Sequence, residues 1–140
     1  MDRVEKACEL NLSGYNCSQS LMMAYSELAG LSEKESQKLA AGLGRGLCIG
    51  DTCGAVSSAV VIIGALYAPE DKSDRDATRH MAGLTKEFCR RFRERRGTLN
   101  CRELLEKAKA EGKVAKNCVE NVRECAEILE ELIAENPVDR

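Results

Sequence analysis

The sequence has no tryptophan, two prolines and one histidine, and aromatic residues make up only 4% of it. With so little aromatic mass, its core is expected to be built from Leu, Ala, Val, Ile and Met. The shortage of proline leaves long stretches of helical periodicity unbroken. A single histidine gives no Ser–His or Cys–His pair a clear claim to catalysis. His80, between Arg79 and Met81 on a charged helix, reads as a surface residue. The longest apolar run, residues 59–68, falls well short of the roughly 20 residues that cross a bilayer, so no membrane insertion is expected. The first ten residues, MDRVEKACEL, carry early charges and no apolar core, so they are not read as a signal peptide. A net charge of −2 provides no global field toward nucleic acid. No G-x-x-x-x-G-K-[ST] loop occurs, which argues against a nucleotide site. No C-x-x-C occurs either, so the thioredoxin motif, haem attachment and the zinc ribbon are unsupported. The close-spaced ferredoxin runs are also missing.

What is present is cysteine, eight residues of it in a chain of 140. The expected location is the cytoplasm, where thiols stay reduced, so catalysis or metal binding explains them better than a disulfide framework. The length suits one domain, residues 1–140, with a single core.

The periodicity predicts an all-α fold: a compact multi-helix bundle with a Gly-rich loop before a buried central helix. Helices are expected over 2–12, over 15–29 entered through Asn16 and stopped by Gly30, and from Ser32 until the glycines from 42 onward. Ser32 and Glu35 have capping-box spacing, and Leu39, Ala40 and Leu43 supply the apolar side of that third helix. Residues 42–68, GLGRGLCIGDTCGAVSSAVVIIGALYA, organise the chain. The glycines form a loop, and the apolar run from Cys53 forms the buried helix, capped by Thr52 and ended before Pro69. Later helices are expected from a Ser73/Asp76 cap to about 96, from Asn100 to Gly112, and from 117 to about 136, with a short tail at 137–140. The basic run KEFCRRFRERRG at 86–97 reads as a solvated face that the acidic last helix neutralises.

Four cysteines share one context. Asn16-Cys17, Thr52-Cys53, Asn100-Cys101 and Asn117-Cys118 each place a thiol just after a good capping residue, at the first position of a helix. A thiol there gains thiolate character from the helix N-terminus, and Cys53 is the thiolate expected first. Helix starts also bind anions through free N–H groups, which suits a thiolate-ligated cluster. The leading expectation is therefore electron transfer by an iron–sulfur cluster on Cys17, Cys53, Cys101 and Cys118, of the two-iron, two-sulfur type. Zinc in a four-sulfur site is the close competitor. A second class is thiol–disulfide exchange, with Cys53 attacking and Cys48, Cys17 or Cys101 as its partner. A third is a helical interaction module with no cofactor, in which the cysteines only pack. Cys8, Cys89 and Cys125 fit packing in any case, and Cys48 in the Gly-rich loop is a candidate fifth thiol. A redox partner protein is implied but not identified, and the composition leaves room for a homodimer.

The segments NCSQS at 16–20, DTCGAVSSA at 51–59, NCREL at 100–104 and NCVENV at 117–122 resemble the C_GCAxxG_C_C family of redox-active proteins. The resemblance runs from about residue 16 to 132, and it carries the same four cysteines, Cys17, Cys53, Cys101 and Cys118. One departure is visible: Ser58 stands where the family pattern has its last glycine. The cysteine-rich domain of split-Soret cytochromes is similar, and that similarity implies an iron–sulfur cluster.

Overall fold

The computed structural model describes residues 2–138, and the last two residues of the expected tail lie outside it. Among the described residues the chain is helical throughout, with eight α-helices and no strand. The all-α expectation holds.

α1 (Arg3–Leu12) starts where the Asp2 side chain accepts from Glu5 N–H at 2.8 Å. α2 (Cys17–Ala24) starts at Asn16, which forms a full capping box with Gln19. The helix expected over 15–29 is interrupted at Tyr25, whose phenol donates to Glu130 Oε2 at 2.6 Å and lies fully buried. A short α3 (Ser26–Ala29) follows and ends at Gly30, which has φ 79°. The predicted Ser32/Glu35 box opens α4 (Glu33–Ala40).

Two expectations about α4 and the core need correction. Leu39 is 65% exposed, because Ser36 and Ala40, one turn apart, form the face turned inward. Ser18 on α2 donates to the Ala40 carbonyl at 2.6 Å and fixes that face. The core is also not purely aliphatic. Tyr25, Phe88 and Phe92 are its largest fully buried side chains, so the few aromatics are concentrated inside.

α5 (Gly54–Tyr67) stops before Pro69 as expected. α6 (Arg75–Arg96) begins at Asp74, which accepts from Ala77 N–H at 3.1 Å, so Asp74 takes the role expected of Ser73. Gly97 ends it with φ 92°. α7 (Cys101–Ala110) begins at Asn100, whose side chain accepts from Glu103 N–H at 2.9 Å. α8 (Asn117–Glu135) closes the bundle. α2 packs against α1, α4, α5 and α8, so it shares the centre with α5. On the outside, Arg91 bonds Glu131 and Glu135 while Arg95 bonds Glu124 and Glu131. These pairs join the basic stretch of α6 to the acidic α8. No helix among the described residues is long and apolar enough to cross a membrane.

Candidate functional site

The starts of α5 and α7 are joined by main chain. Thr52 and Asn100 form an isolated antiparallel bridge. The Cys53 N–H donates to Leu99 O at 2.7 Å and the Cys101 N–H to Asp51 O at 2.6 Å. The start of α2 joins them through Asn16, whose Nδ2 donates to Ala41 O at 3.2 Å at the edge of the Gly-rich loop. Gly54 lets α2 and α5 meet. A Cβ on it would stand 2.9 Å from the Cys17 sulfur.

Between these starts the Gly-rich loop makes a left-handed turn. Arg45, Gly46, Leu47 and Cys48 all have positive φ, from 56° to 63°. An L-residue in that conformation costs about 1–2 kcal/mol, and here three non-glycine residues adopt it in one turn. At Gly46 no other residue fits, since a Cβ would lie 2.4 Å from Asp51 N. The Asp51 N–H closes the turn on Gly46 O at 2.9 Å. Strain of this kind persists only where surrounding contacts hold it, and it clusters at functional sites.

The turn and the helix starts surround an open pocket of ≈ 460 Å³ lined by Cys17, Cys48, Cys101 and Cys118, with Asn16, Arg45, Arg102, Leu105 and Asn117. Three of the four cysteines singled out from sequence therefore border one volume. Cys53, 4% exposed, is not among the lining residues, but its thiol is hydrogen-bonded to Cys17. Cys48 takes a place on the wall instead. Among the described residues, no group of three or more His, Cys, Asp or Glu is set to hold a single metal ion.

Electrostatics single out Cys17. The Cys53 thiol donates to its sulfur, and the backbone N–H groups of Arg45, Ala55 and Ser18 also lower its pKa, to about 6, against the opposing effect of burial. Ser18 and Ala55 lie in the first turns of α2 and α5, so two helix starts address one sulfur. The lowered pKa expected of Cys53 thus falls on Cys17. Cys53 itself is held well above the usual thiol range by that same hydrogen bond and by burial. Burial also raises Cys101 and Cys118, with the charge of Cys17 adding to both. Arg102 acts in the opposite direction on Cys101, and Arg45 on Cys118.

Two of the four expected caps are present. Asn16 and Asn100 cap their helices and put Cys17 and Cys101 first. Thr52 is used in the bridge to Asn100, and Cys53 becomes the residue before α5 with no side-chain cap. Asn117 lies inside α8, preceded by a 3-10 turn at Val114–Lys116, so Cys118 is second in its helix. Cys8 and Cys125 are buried in packing positions, and Cys89 is half-buried. His80 is exposed, edge-on to Tyr67. Sequence reasoning missed the pocket residues Arg45, Arg102 and Asn117. Only the setting of Arg45 between two glycines marked it as unusual.

Comparison with curated proteins and with solved structures gave no match. A family model does match, over residues 15–132, that of the "Putative redox-active protein (C_GCAxxG_C_C)" family. The match covers most of the chain and includes every cysteine that borders the pocket, and the chain belongs to the C_GCAxxG_C_C family of redox-active proteins.

Proposed function

We propose that the chain is an electron-transfer protein that holds an iron–sulfur cluster in this pocket on Cys17, Cys53, Cys101 and Cys118. The observation that carries the reading is the spread of the thiols. Cys17, Cys48, Cys101 and Cys118, from separate parts of the chain, line a volume of ≈ 460 Å³, and among the described residues no three such groups close on a single ion. A zinc ion needs four ligands at about 2.0–2.3 Å. A cluster keeps its thiolates farther apart and takes four of them. The donor set fits such a group in charge as well. Backbone N–H groups converge on Cys17, and Arg45 and Arg102 face the pocket, so negative charge is stabilised there. The bound cluster would supply a one-electron change. Cys17, Cys101 and Cys118 would hold it, with the fourth ligand either Cys53, which would have to turn from Cys17 into the pocket, or the pocket-lining Cys48. The test is anaerobic purification with iron, sulfide and zinc assays and a visible spectrum. Stoichiometric iron and sulfide with thiolate-to-iron absorption is the expected result. Colourless protein with one zinc would remove the reading.

A specific observation favours a second reading, thiol–disulfide exchange. Cys17 and Cys53 interact directly, and that interaction pushes the Cys17 thiol down and the Cys53 thiol up. The Cys17 thiolate would attack one sulfur of a substrate disulfide and expel the other as thiolate. Cys53, passing its proton to the expelled substrate thiolate, would attack the Cys17 sulfur of the mixed disulfide. That releases the substrate as a second thiolate and leaves a Cys17–Cys53 disulfide, with two electrons passed to substrate. Redox titration of metal-free protein with peptide mapping tests this, and the reading fails if no reversible Cys17–Cys53 pair is found.

A further inference from the structure

We propose that the thiol pocket binds a small organic anion between Arg45 and Arg102, and that the disulfide it reduces is a low-molecular-weight one bearing carboxylates. The inference rests on the thiol–disulfide reading of the pocket and names its substrate class.

The charge of the pocket wall carries it. Two guanidiniums, those of Arg45 and Arg102, line the pocket and no Asp or Glu does, on a chain with more acidic than basic residues (23 against 21). Besides neighbouring sulfurs, the only charge that acts on Cys118 is Arg45, and the only one that acts on Cys101 is Arg102. Elsewhere Arg3, Arg91, Arg95, Arg96 and Arg123 each pair with a carboxylate of another helix. Among the described residues neither Arg45 nor Arg102 has such a partner, and the Arg102 guanidinium bonds only a carbonyl, from Nη2 to Ile49 O at 3.0 Å. Both are nonetheless held in place. The Arg102 guanidinium lies against Gly50, where a Cβ would come 2.9 Å from Nη2 and 3.2 Å from Nε. Gly50 has φ 75°, so the left-handed backbone that clears this space also presents the Ile49 acceptor. Arg45, at φ 56°, stands between Gly44, packed on the Asn16 side chain, and Gly46, packed on the Asp51 backbone. The strained turn therefore carries one of the two cations and seats the other. A guanidinium offers a planar fork of N–H donors that fits a carboxylate. Two of them without carboxylate partners, facing a volume of ≈ 460 Å³, call for an anion of small-molecule size. Leu105 on the same wall gives a short methylene chain an apolar surface. Cys17 lines that volume but is only 8% exposed, so a disulfide has to enter the pocket to meet it, which favours a small one. Two electrons pass from the Cys17–Cys53 pair to the substrate. It leaves as one thiol, protonated by Cys53, and one thiolate, each carrying a carboxylate.

The test uses the reduced, metal-free full chain and three disulfides: 3,3′-dithiodipropionate with its carboxylates, neutral bis(2-hydroxyethyl) disulfide, and cystamine with its ammonium groups. The readout is the single-turnover rate with each, divided by its rate with the neutral dithiol dithiothreitol to remove intrinsic reactivity. The ratio of the anionic to the neutral disulfide also cancels any change in thiol ionisation. Wild-type protein is expected to favour the anionic disulfide over the neutral one, and the neutral over the cationic. Arg45→Gln and Arg102→Gln are each expected to lower the anionic-to-neutral ratio about three- to tenfold, as the loss of one charge-assisted contact would. A parallel calorimetric titration with 3,3′-thiodipropionate, the unreactive thioether, reads binding alone and is expected to show it in wild type and not in the double variant. If no disulfide reacts with wild type, the exchange reading fails, and thiodipropionate binding that needs both arginines still supports the anion site; no such binding overturns it. If Arg102→Gln disturbs the turn, Arg45→Gln decides by the same ratio. A ratio that is equal in wild type and both variants overturns the proposal, because arginines with a merely structural role alter the rates of all three disulfides alike.

Discussion

Two glycines on one helix should respond to the same substitution with opposite signs. Gly54 is the first residue of α5 and Gly64 lies near its end. A Cβ at Gly54 would lie 2.7 Å from the Leu43 carbonyl oxygen, 2.9 Å from Gly44 Cα and 2.9 Å from the Cys17 sulfur. Two of those atoms are backbone and cannot rotate away, so Gly54→Ala has to push the start of α5 off the Gly-rich loop. Forced overpacking costs about 1–3 kcal/mol, and better helix propensity returns at most about 1 kcal/mol. The net expectation is a loss of roughly 1–2 kcal/mol, or several degrees in melting temperature for a domain of this size. At Gly64 a Cβ meets nothing within 4 Å. Gly64→Ala should therefore stabilise the protein by about 0.5–1 kcal/mol through reduced backbone entropy alone. Urea denaturation of both variants measures the two effects, and the reaction rate of Cys17 with a thiol reagent reports whether its sulfur has moved. If Gly54→Ala melts at or above wild type with Cys17 reactivity unchanged, then α2 and α5 do not meet through this glycine, and the account of why Cys17 ionises is wrong.

Cys17 predicts a pH dependence of folding in metal-free protein. Its folded pKa, about 6, lies below the ordinary thiol value of 9.0, so between those limits the unfolded chain binds more protons. Stability from this group is fully present above about pH 9, shrinks as pH falls, and is gone below about 6; Cys53, shifted the other way, subtracts only above its ordinary value. Chemical denaturation at pH 6, 7 and 8 should show stability rising with pH in wild type and a flatter profile in Cys17→Ser, and parallel profiles would refute the assignment. At Leu47, with φ 60° and 44% exposed, glycine removes left-handed strain while losing few contacts. Leu47→Gly should gain about 0.5–1 kcal/mol in urea titrations, the residue strain exceeding the entropy glycine adds to the unfolded chain; a loss of stability would mean that Leu47 makes contacts worth more than its conformation costs.

The sequence by itself determined what depends on a few neighbouring residues. The Ser32/Glu35 box, the caps at Asn16 and Asn100, and the glycine stops at 30 and 97 each satisfy helix-end groups within a turn, so they could be read directly. The four-cysteine pattern of the family was legible for the same reason, as short strings around each thiol. Tertiary structure decided which thiol is pushed down in pKa. Cys17 owes its state to Cys53, Arg45 and Ala55, groups 28 to 38 residues away in sequence and brought together by folding. It also decided that Thr52 pairs with Asn100 and does not cap α5, that Asn117 lines a pocket and does not cap α8, and that Leu39 faces outward. For Thr52 and Leu39 a long-range hydrogen bond, the bridge to Asn100 and the Ser18 bond to Ala40, outweighed a local preference worth about 1 kcal/mol, and such contacts leave no mark on the spacing of residues along the chain.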